Sequence, residues 1–303
     1  QYYKLVVDTA WAESWVASKQ CGIKCIGCWN LHKYDSLQSS TYQENGKEFS
    51  FGTGSDAITG FFSIESFYIG HINVKNQTFG EVTCLPWTYL LSKADGVLGL
   101  AFSTLSVGNI MPIFYNMYFQ KLIKNPIFSI YMNRDPTTNH AGSIMIGASN
   151  PKHYNGSWTY APVTEKKYWQ FKINNIYLIL GNKTYSFCEP TCPAVIDSST
   201  SVISGPSKII RKINSLMGAT ELLMGRYQVE CGKITKLPHI KFSISGRNFT
   251  IHGKDLAQKM ELKGVSACLS VFASTEFAES NKKWTLGSAF LSQYYTLYDI
   301  NQG

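Results

Sequence analysis

The sequence predicts an all-β protein of two homologous lobes, and three observations carry that prediction. Short segments of β-branched and alternating apolar residues recur along the 303-residue chain, and turn pairs such as Asn45-Gly46 separate them. An apolar strand that ends in an aspartate occurs twice, at Asp8 and at Asp197. Each aspartate is followed, at nearly the same distance, by a Leu-Gly-x-Ala-Phe motif that begins at Leu98 or Leu286. We therefore expect each lobe to contribute one aspartate.

Strands are predicted wherever apolar residues alternate or cluster over a few positions. In chain order they are Tyr2 to Val7, Phe61 to Ile69, Ile127 to Met132, Ser143 to Ile146, Trp158 to Val163 and Ile176 to Leu180. No low-complexity linker interrupts the chain, so the crossing between the lobes is expected to be structured and to lie between Ile146 and Ala161. The loop-like residues 151–157 place the boundary there, with an N-terminal lobe over 1–150 and a C-terminal lobe over 151–303.

Two helices are predicted from start and stop signals. The first begins at Pro112 and has Pro126 beyond its end; its apolar face consists of Ile113, Met117 and Leu122. The second begins at Pro206-Ser207 and stops at Gly218; its apolar face consists of Ile209, Ile210, Ile213 and Met217. Both are interpreted as helices that pack on a core and carry no chemistry.

Composition excludes several classes of function. Apolar residues make up 44% of the chain, which is typical of a globular protein, and no apolar run is long enough to span a bilayer. The net charge of +8 comes from scattered lysines without a basic block, which argues against nucleic-acid binding. No signal-peptide pattern is present, so we expect the sequence to be the mature chain or a part of it.

The eight cysteines are compatible with a zinc site or with disulfides. Cys25 and Cys28 have the spacing of a zinc-binding pair, but no second close pair or histidine partner with a matching spacer follows. His140 and His153 are interpreted as isolated surface histidines, and neither a metal nor another cofactor is predicted. The even number of cysteines favours disulfides in an oxidising compartment. Four Asn-x-Ser/Thr sequons favour a secretory or vacuolar route and glycosylation, at Asn76, Asn155, Asn182 and Asn248.

Ordered motifs over nearly the whole chain resemble those of the pepsin-like aspartic proteases, and within them the cathepsin D-like branch. The matching stretches are Ser14-Trp15-Val16, Ser39-Ser40-Thr41-Tyr42, Phe51-Gly52-Thr53-Gly54-Ser55, Ala94-Asp95-Gly96-Val97-Leu98-Gly99-Leu100, Phe128-Ser129-Ile130-Tyr131, Asn133-Arg134-Asp135-Pro136, Lys167-Tyr168-Trp169-Gln170-Phe171, Gly205-Pro206 and Tyr295-Thr296. The resemblance implies a bilobal β fold with a cleft between the lobes, a hairpin flap over the cleft and two Asp turns at its floor. The two ends of the sequence depart from the family pattern, since both are shorter than usual.

The resemblance also implies the disulfide pairing. Cys21 with Cys28, Cys188 with Cys192, and Cys231 with Cys268 occupy positions similar to the three usual disulfides of the family. Cys25 and Cys84 remain, and we expect them to pair with each other, with a free thiol as the alternative. A similar additional pair occurs in a catalytically inactive member of the family, an allergen of cockroach.

The resemblance identifies Asp8 and Asp197 as the catalytic pair, which in the family shares one proton around a water molecule. Two carboxylates a few ångströms apart cannot both ionise cheaply, so one serves as acid and the other as base. The pair titrates as a unit, and we assign no separate roles. The residues that support the pair are Thr9, Ala10, Trp11, Ser198, Ser199 and Thr200. The flap and cleft residues are Trp15, Phe51, Gly52 and Thr53.

Four positions depart from what the family chemistry requires. The family turn is Asp-Thr/Ser-Gly, and Ala10 and Ser199 replace its glycines, so each adds a Cβ where the two turns face one another. Trp11 replaces a hydroxyl residue that bonds the aspartate, and Phe51 replaces a flap tyrosine whose phenol bonds toward Trp15 and substrate. Thr9 and Ser198 keep their hydroxyls. The fold of the site is therefore expected to survive while its spacing changes, and catalysis depends on spacing.

Two functional hypotheses follow. The sequence favours a secreted, glycosylated, disulfide-bonded homologue with little or no peptidase activity, which acts by binding a peptide or protein ligand in its cleft or a protein partner at its surface. The alternative is an active acid endopeptidase of the cathepsin D type that cleaves extended peptides and binds pepstatin-like inhibitors. The expected location is the secreted, lysosomal or gut-lumen space. The sequence leaves the oligomeric state open.

Overall fold

The computed structural model describes residues 1–133, 138–262 and 265–301. Of the stretch Asn133-Arg134-Asp135-Pro136, only Asn133 lies within the described residues. The chain divides into two compact units, Gln1–Pro126 and Ile127–Gly303. Both units consist mainly of strands, which confirms the all-β fold class and is consistent with a bilobal pepsin-like fold. The lobe boundary near residue 150 stays a prediction.

The first unit is built on one six-stranded sheet. Its elements are β1 (Leu5–Asp8), β2 (Trp15–Ala17), β3 (Gln43–Phe51), β4 (Ile58–Ile69), β5 (Ile72–Cys84), β6 (Gly96–Gly99) and α1 (Ile113–Phe119). The strand order is β1-β6-β2-β5-β4-β3. Aromatic side chains fill its core: Phe49 stacks on Phe51 with ring centroids 4.6 Å apart and contacts Phe62 at 4.8 Å. The sheet therefore buries aromatic residues beside the end of β3.

The second unit contains several smaller sheets. Its strands are β7 (Ile127–Met132), β8 (Gly142–Ile146), β9 (Glu165–Lys166), β10 (Trp169–Ile173), β11 (Asn175–Leu180), β12 (Lys183–Ser186), β13 (Cys192–Ile196), β14 (Ile203–Ser204), β15 (Thr220–Glu221), β16 (Tyr227–Val229), β17 (His239–Ile244), β18 (Arg247–Ile251), β19 (Ala257–Leu262), β20 (Val265–Ser270), β21 (Phe272–Ala273), β22 (Trp284–Leu286) and β23 (Thr296–Asp299). Its helices are α2 (Ser207–Leu216), α3 (Glu276–Asn281) and α4 (Ser288–Leu291). The sheet orders are β21-β14-β22-β13-β10-β9, β12-β11-β17-β18, β15-β16-β20-β19 and β23-β7-β8.

The sequence repeat corresponds to a repeated strand arrangement. In the first unit β1 runs parallel to β6, and β2 pairs antiparallel with the other side of β6. In the second unit β13 runs parallel to β22, and β14 pairs antiparallel with the other side of β22. Each aspartate thus comes at the end of a strand whose parallel neighbour leads into the Leu-Gly-x-Ala-Phe motif.

The glycines of the two motifs allow a close backbone approach. A Cβ on Gly99 would lie 2.5 Å from the carbonyl oxygens of Ala12 and Glu13. A Cβ on Gly287 would lie 2.4 Å from the carbonyl oxygen of Val202. Real Cβ atoms do not come this close to backbone, so both positions require glycine for steric reasons rather than for a special φ. The two turns are therefore packed against the motif strands in the same way.

All eight cysteines form disulfides, in the pairing that the resemblance implied. The pairs are Cys21–Cys28, Cys25–Cys84, Cys188–Cys192 and Cys231–Cys268. The pair Cys25–Cys84 joins residues 59 positions apart and ties the loop before the 3-10 helix Ile26–Cys28 to the end of β5. Among the described residues, no helix is long and apolar enough to cross a membrane.

Some predicted elements need correction. The strand predicted at Trp158 to Val163 is wrong, because this segment pairs with no strand in the described part of the chain. Pro162 has no N–H to donate to a ladder. The first helix ends at Phe119, before Leu122, because Lys121 adopts a left-handed conformation with φ of 58° and turns the chain. The second helix ends as expected, with φ of 69° at Gly218.

We expect Gly99→Ala to destabilise the first unit, because its methyl group would overlap two carbonyl oxygens. Overpacking of this kind costs about 1–3 kcal/mol, which should lower the thermal unfolding midpoint by several degrees. Gly22→Ala is the matched control, since a Cβ there meets nothing within 4 Å. Thermal unfolding followed by circular dichroism measures both; equal midpoints for the two variants would contradict the steric role of Gly99.

Candidate active site

Asp8 lies at the C-terminal end of β1, in register with Gly99 of β6. Its side chain is buried, and its Oδ1 accepts a hydrogen bond of 2.8 Å from the backbone N–H of Ala10. The backbone carbonyl of Asp8 accepts from the N–H of Leu100 at 2.9 Å. The neighbouring Thr9 is fully buried. The turn therefore holds the carboxylate, and the motif strand holds the backbone of Asp8.

Asp197 directly follows β13 and is held in a similar turn. Its backbone N–H donates to the carbonyl of Leu286 at 3.1 Å. Its Oδ1 accepts from the backbone N–H of Ser199 at 2.9 Å and also from the Ser199 hydroxyl at 2.7 Å. The carbonyl of Thr200 accepts from the N–H of Ser288 at 2.8 Å, and Ser198 is half-buried. Asp197 therefore has one more donor on Oδ1 than the backbone alone would supply.

The two turns share one bond that the replacement of glycine leaves intact. In both, the N–H of the residue two positions after the aspartate donates to Oδ1. Any residue with an N–H can make this bond, which is the usual bond of an Asx turn. Ala10 and Ser199 therefore differ from the family glycine only by the side-chain atoms that they add.

The flap residues lie in the connection between β3 and β4. Phe51 ends β3 in register with Ile58, and Gly52 follows with φ of 83°, a conformation that favours glycine. Thr53 precedes a short 3-10 helix, Gly54–Asp56. Phe51 is buried, and its ring meets that of Trp11 edge to face with centroids 5.0 Å apart. The structure thus brings together two of the four departures from the family pattern.

The indoles of Trp11 and Trp15 lack polar partners. The Nε1 atoms of both are buried, and neither has a hydrogen-bond partner among the described residues. Phe51 offers no oxygen to them, and the ring of Trp11 takes the place of a hydroxyl. A buried donor without a partner costs about 1–3 kcal/mol. The aromatic cluster is therefore apolar where the family chemistry uses polar groups.

Tyr89 belongs to the surroundings of Asp8, and the sequence analysis missed it. It lies on the 3-10 helix Trp87–Leu91 and meets Trp15 edge to face at 5.9 Å. Burial and, to a smaller extent, the negative charge of Asp8 raise the pKa of its phenol. No motif marks Tyr89, since its position depends on the folding of a distant loop.

Glu13 is a second residue that the sequence analysis missed. It is buried and accepts a hydrogen bond from the backbone N–H of Val107. Burial raises the pKa of its carboxyl, and the bonds from Val107 and Ser106 offset this only in part. A single acidic residue within the otherwise uncharged stretch from Ala12 to Ser18 is the signal that could have revealed it.

We expect Glu13→Gln to stabilise the protein at neutral pH and to leave it nearly unchanged in acid. Because the folded-state pKa of Glu13 is raised, its protonated form is favoured in the fold. The protonated Glu13 side chain stabilises the fold at pH values below its unfolded-state pKa. This stabilisation is lost as the pH rises through the folded-state pKa, because the buried carboxyl then ionises. Glutamine keeps the acceptor for Val107 and carries no charge. Urea unfolding at about pH 3.5 and pH 7 measures the difference. Glu44→Gln, at an exposed position of β3, is the control; an equal gain at both pH values would contradict the argument.

We also expect Phe51→Tyr to stabilise the first unit by about 0.5–1.5 kcal/mol, because the phenol oxygen can accept from an unpartnered indole. Phe49→Tyr is the matched control. The tip of the Phe49 ring packs closely on Gly60, since a Cβ on Gly60 would lie only 2.8 Å from Phe49 Cζ. We therefore expect no room for a hydroxyl on the Cζ atom of residue 49. Thermal unfolding should show opposite shifts for the two variants. A loss of stability in both would mean that no indole N–H is within reach of position 51.

Comparison with known proteins places these features in a family. The profile described as eukaryotic aspartyl protease matches residues 1–303. Cathepsin D of Gallus gallus is 36% identical over 301 residues, which cover 99% of this chain and 75% of that protein. Cathepsin D of Homo sapiens is 35% identical over 312 residues, with 99% and 75% covered. Cathepsin D of Bos taurus is 33% identical over 313 residues, with 100% and 80% covered.

Proposed function

The chain belongs to the eukaryotic aspartyl protease family, and we propose that it is a cathepsin D-like member with little or no peptidase activity that binds peptides in its cleft. The observation that carries this proposal is the pair of bonds from Ser199 to Asp197 Oδ1. A carboxylate oxygen has about two acceptor sites, and here the backbone and the hydroxyl of Ser199 use both. Asp197 therefore has fewer free acceptor sites for a water molecule that two aspartates would share.

Three further changes act in the same direction. Ala10 adds a methyl group beside Asp8, Trp11 replaces a hydroxyl donor with an indole, and Phe51 removes the phenol of the flap. Catalysis of this type requires donors fixed within a fraction of an ångström of their working positions. Asp8 and Asp197 are then the inherited pair, with Thr9, Ser198 and Thr200 as inherited support. Gly52 and Thr53 remain in place as flap residues.

The alternative is a working acid endopeptidase, and one observation favours it. Both aspartates keep the N–H to Oδ1 bond of their turns, so each carboxylate is still oriented by its own unit. In that case Asp8 and Asp197 would activate a water molecule together, with Thr9, Ser198, Phe51 and Trp15 assisting. Tyr89 would join them on the side of Asp8.

We further propose that the protein is a secreted or lysosomal glycoprotein. The four disulfides support an oxidising compartment. The asparagines of all four sequons are exposed, namely Asn76, Asn155, Asn182 and Asn248. Exposure is a requirement for glycosylation after folding and therefore supports the proposal.

If the protein has little or no peptidase activity, we expect no pepstatin-sensitive cleavage of denatured haemoglobin at about pH 3–5. In this range one carboxyl of such a pair is protonated. Wild-type protein, Asp8→Asn and a purified active cathepsin D are compared in parallel. Cleavage by the wild type that pepstatin blocks and Asp8→Asn abolishes would establish the alternative.

The double variant Ala10→Gly/Ser199→Gly tests which substitutions cause the loss of peptidase activity. A gain of activity would assign the loss to the added side-chain atoms at the two turns. No gain would assign the loss to Trp11 or Phe51. Binding of pepstatin, measured by the rise in thermal midpoint, reports whether the cleft accepts a peptide-like ligand without turnover.

A further inference from the structure

The first unit carries an exposed apolar surface on two of its loops. We call it the apolar cap; its members are Ile23, Trp29, Trp87 and Leu91. Their exposed fractions are 84%, 55%, 67% and 87%. Isolated exposed apolar residues are common on proteins, but a group of two tryptophans and two aliphatic residues indicates an interaction site.

Two loops form the apolar cap, and they are fixed to each other. Trp29 Nε1 donates to the carbonyl of Ile23 at 3.0 Å, which holds the first loop closed. Asn30 Nδ2 donates to the carbonyl of Leu90 at 3.1 Å, which joins the first loop to the second. A Cβ on Gly27 would lie 2.2 Å from the carbonyl oxygen of Pro86, so the two backbones are in direct contact. The apolar residues are thus held as one group.

Disulfides make this base rigid. Cys21–Cys28 closes the first loop, and Cys25–Cys84 ties it to the strand that leads into the second. On the inner side, Cys21, Cys25 and Tyr89 pack on the buried aromatic core. The outer residues therefore project from a fixed support and lose little conformational entropy when they are buried by a partner.

A cationic hollow adjoins the apolar cap. It has a volume of about 390 Å³, and its lining includes Lys4, Asn30, His32, Ser92, Lys93 and Asp95. Asn30 directly follows Trp29, and Lys93 lies two residues after Leu91, so the hollow and the cap share both loops. The carboxylate of Asp95 is engaged by the backbone N–H groups of Lys4 and His32, both at 2.8 Å. The lining thus carries two lysine ammonium groups against one carboxylate, which leaves a net positive charge for an anionic ligand.

Positive charge predominates in the two loops, and Asp35 and Asp95 directly follow them. Residues 19–34 contain Lys19, Lys24 and Lys33 and no acidic residue, and residues 84–94 contain Lys93 and no acidic residue. Lys19 pairs with Asp35, whereas Lys24 and Lys93 form no ion pair within the described part of the chain. A partner that covers this surface must therefore offer apolar contact together with negative charge.

We propose that the apolar cap and the cationic hollow form a docking surface for anionic lipid bilayers. Tryptophan prefers the boundary between lipid headgroups and acyl chains, where its apolar body and polar N–H are both accommodated. Aliphatic tips such as Ile23 and Leu91 enter the acyl region, and lysines at the same level contact headgroup phosphates. The hollow receives one anionic headgroup between Lys4 and Lys93. This inference is independent of whether the aspartates are catalytic.

Sedimentation with lipid vesicles tests the proposal on the full chain. Vesicles of phosphatidylcholine alone are compared with an equimolar mixture of phosphatidylcholine and phosphatidylserine. We expect the wild type to bind the mixed vesicles at least about tenfold more tightly, and this preference to disappear when NaCl is raised from about 0.1 M to 1 M. Equal binding to both kinds of vesicle, or binding to neither, would overturn the proposal.

Two variants separate the apolar and the charged contributions. Trp87→Ser/Leu91→Ser removes exposed side chains and leaves the Trp29–Ile23 bond in place; Lys24→Glu/Lys93→Glu reverses two exposed charges. Each should weaken binding by about tenfold or more. Circular dichroism confirms that both variants keep the wild-type fold, which is expected because none of the four side chains is in the core.

The matched controls lie in the second unit. Leu223→Ser/Met224→Ser removes two apolar side chains that are 88% and 93% exposed, and Lys208→Glu/Lys212→Glu reverses two exposed charges of α2. Neither should change binding. An equal loss in these controls would mean that general charge and hydrophobicity drive the association. Competition by inorganic phosphate without any effect of Trp87→Ser/Leu91→Ser would indicate an anion site only, and would also overturn the proposal.

Discussion

Both candidate carboxylates depend on one construction, the close parallel pairing of a strand that ends in aspartate with a strand that leads to glycine. The carbonyl oxygens of Ala12 and Val202 occupy the space that a side chain on Gly99 or Gly287 would need. The motif strands also return hydrogen bonds to the turns, from Leu100 to Asp8 and from Ser288 to Thr200. Because the construction occurs once in each unit, each unit orients its own carboxylate.

This construction separates the stability of the turns from their chemistry. The bond that shapes each turn comes from a backbone N–H, which alanine and serine supply as well as glycine does. The hydroxyl of Ser199 bonds Asp197 directly, whereas the indole of Trp11 and the ring of Phe51 pack on each other in the unit that carries Asp8. Substitution at these positions can therefore leave the fold in place, and under the proposed function it changes the donors around the carboxylates. A family member can lose activity by this route without losing either aspartate.

The sequence could predict what depends on local patterns and on repetition. The two Asp turns and the stop of α2 at Gly218 each leave a short motif in the chain, whereas the disulfide partners were implied by the family resemblance. Tyr89 leaves none, and Glu13 leaves only its isolated charge in an uncharged stretch, because the importance of both comes from burial and from neighbours that only the folded chain brings close. The strand predicted at Trp158 to Val163 fails for a related reason: apolar residues allow a strand, but a strand also needs a partner. The left-handed conformation at Lys121, which ends α1, has no residue signature either, since lysine rarely adopts it.

The disulfide Cys25–Cys84 connects the surroundings of Asp8 with the outer surface of the first unit. It fixes the segment that leads into the 3-10 helix Trp87–Leu91, which has an inner and an outer face. Tyr89 is half-buried and contacts Trp15, and burial together with the charge of Asp8 raises the pKa of its phenol. Trp87 and Leu91 are exposed. A single turn of helix cannot move one face and leave the other in place. The cross-linked base therefore holds the Tyr89 phenol and the exposed side chains of Trp87 and Leu91 in one fixed arrangement.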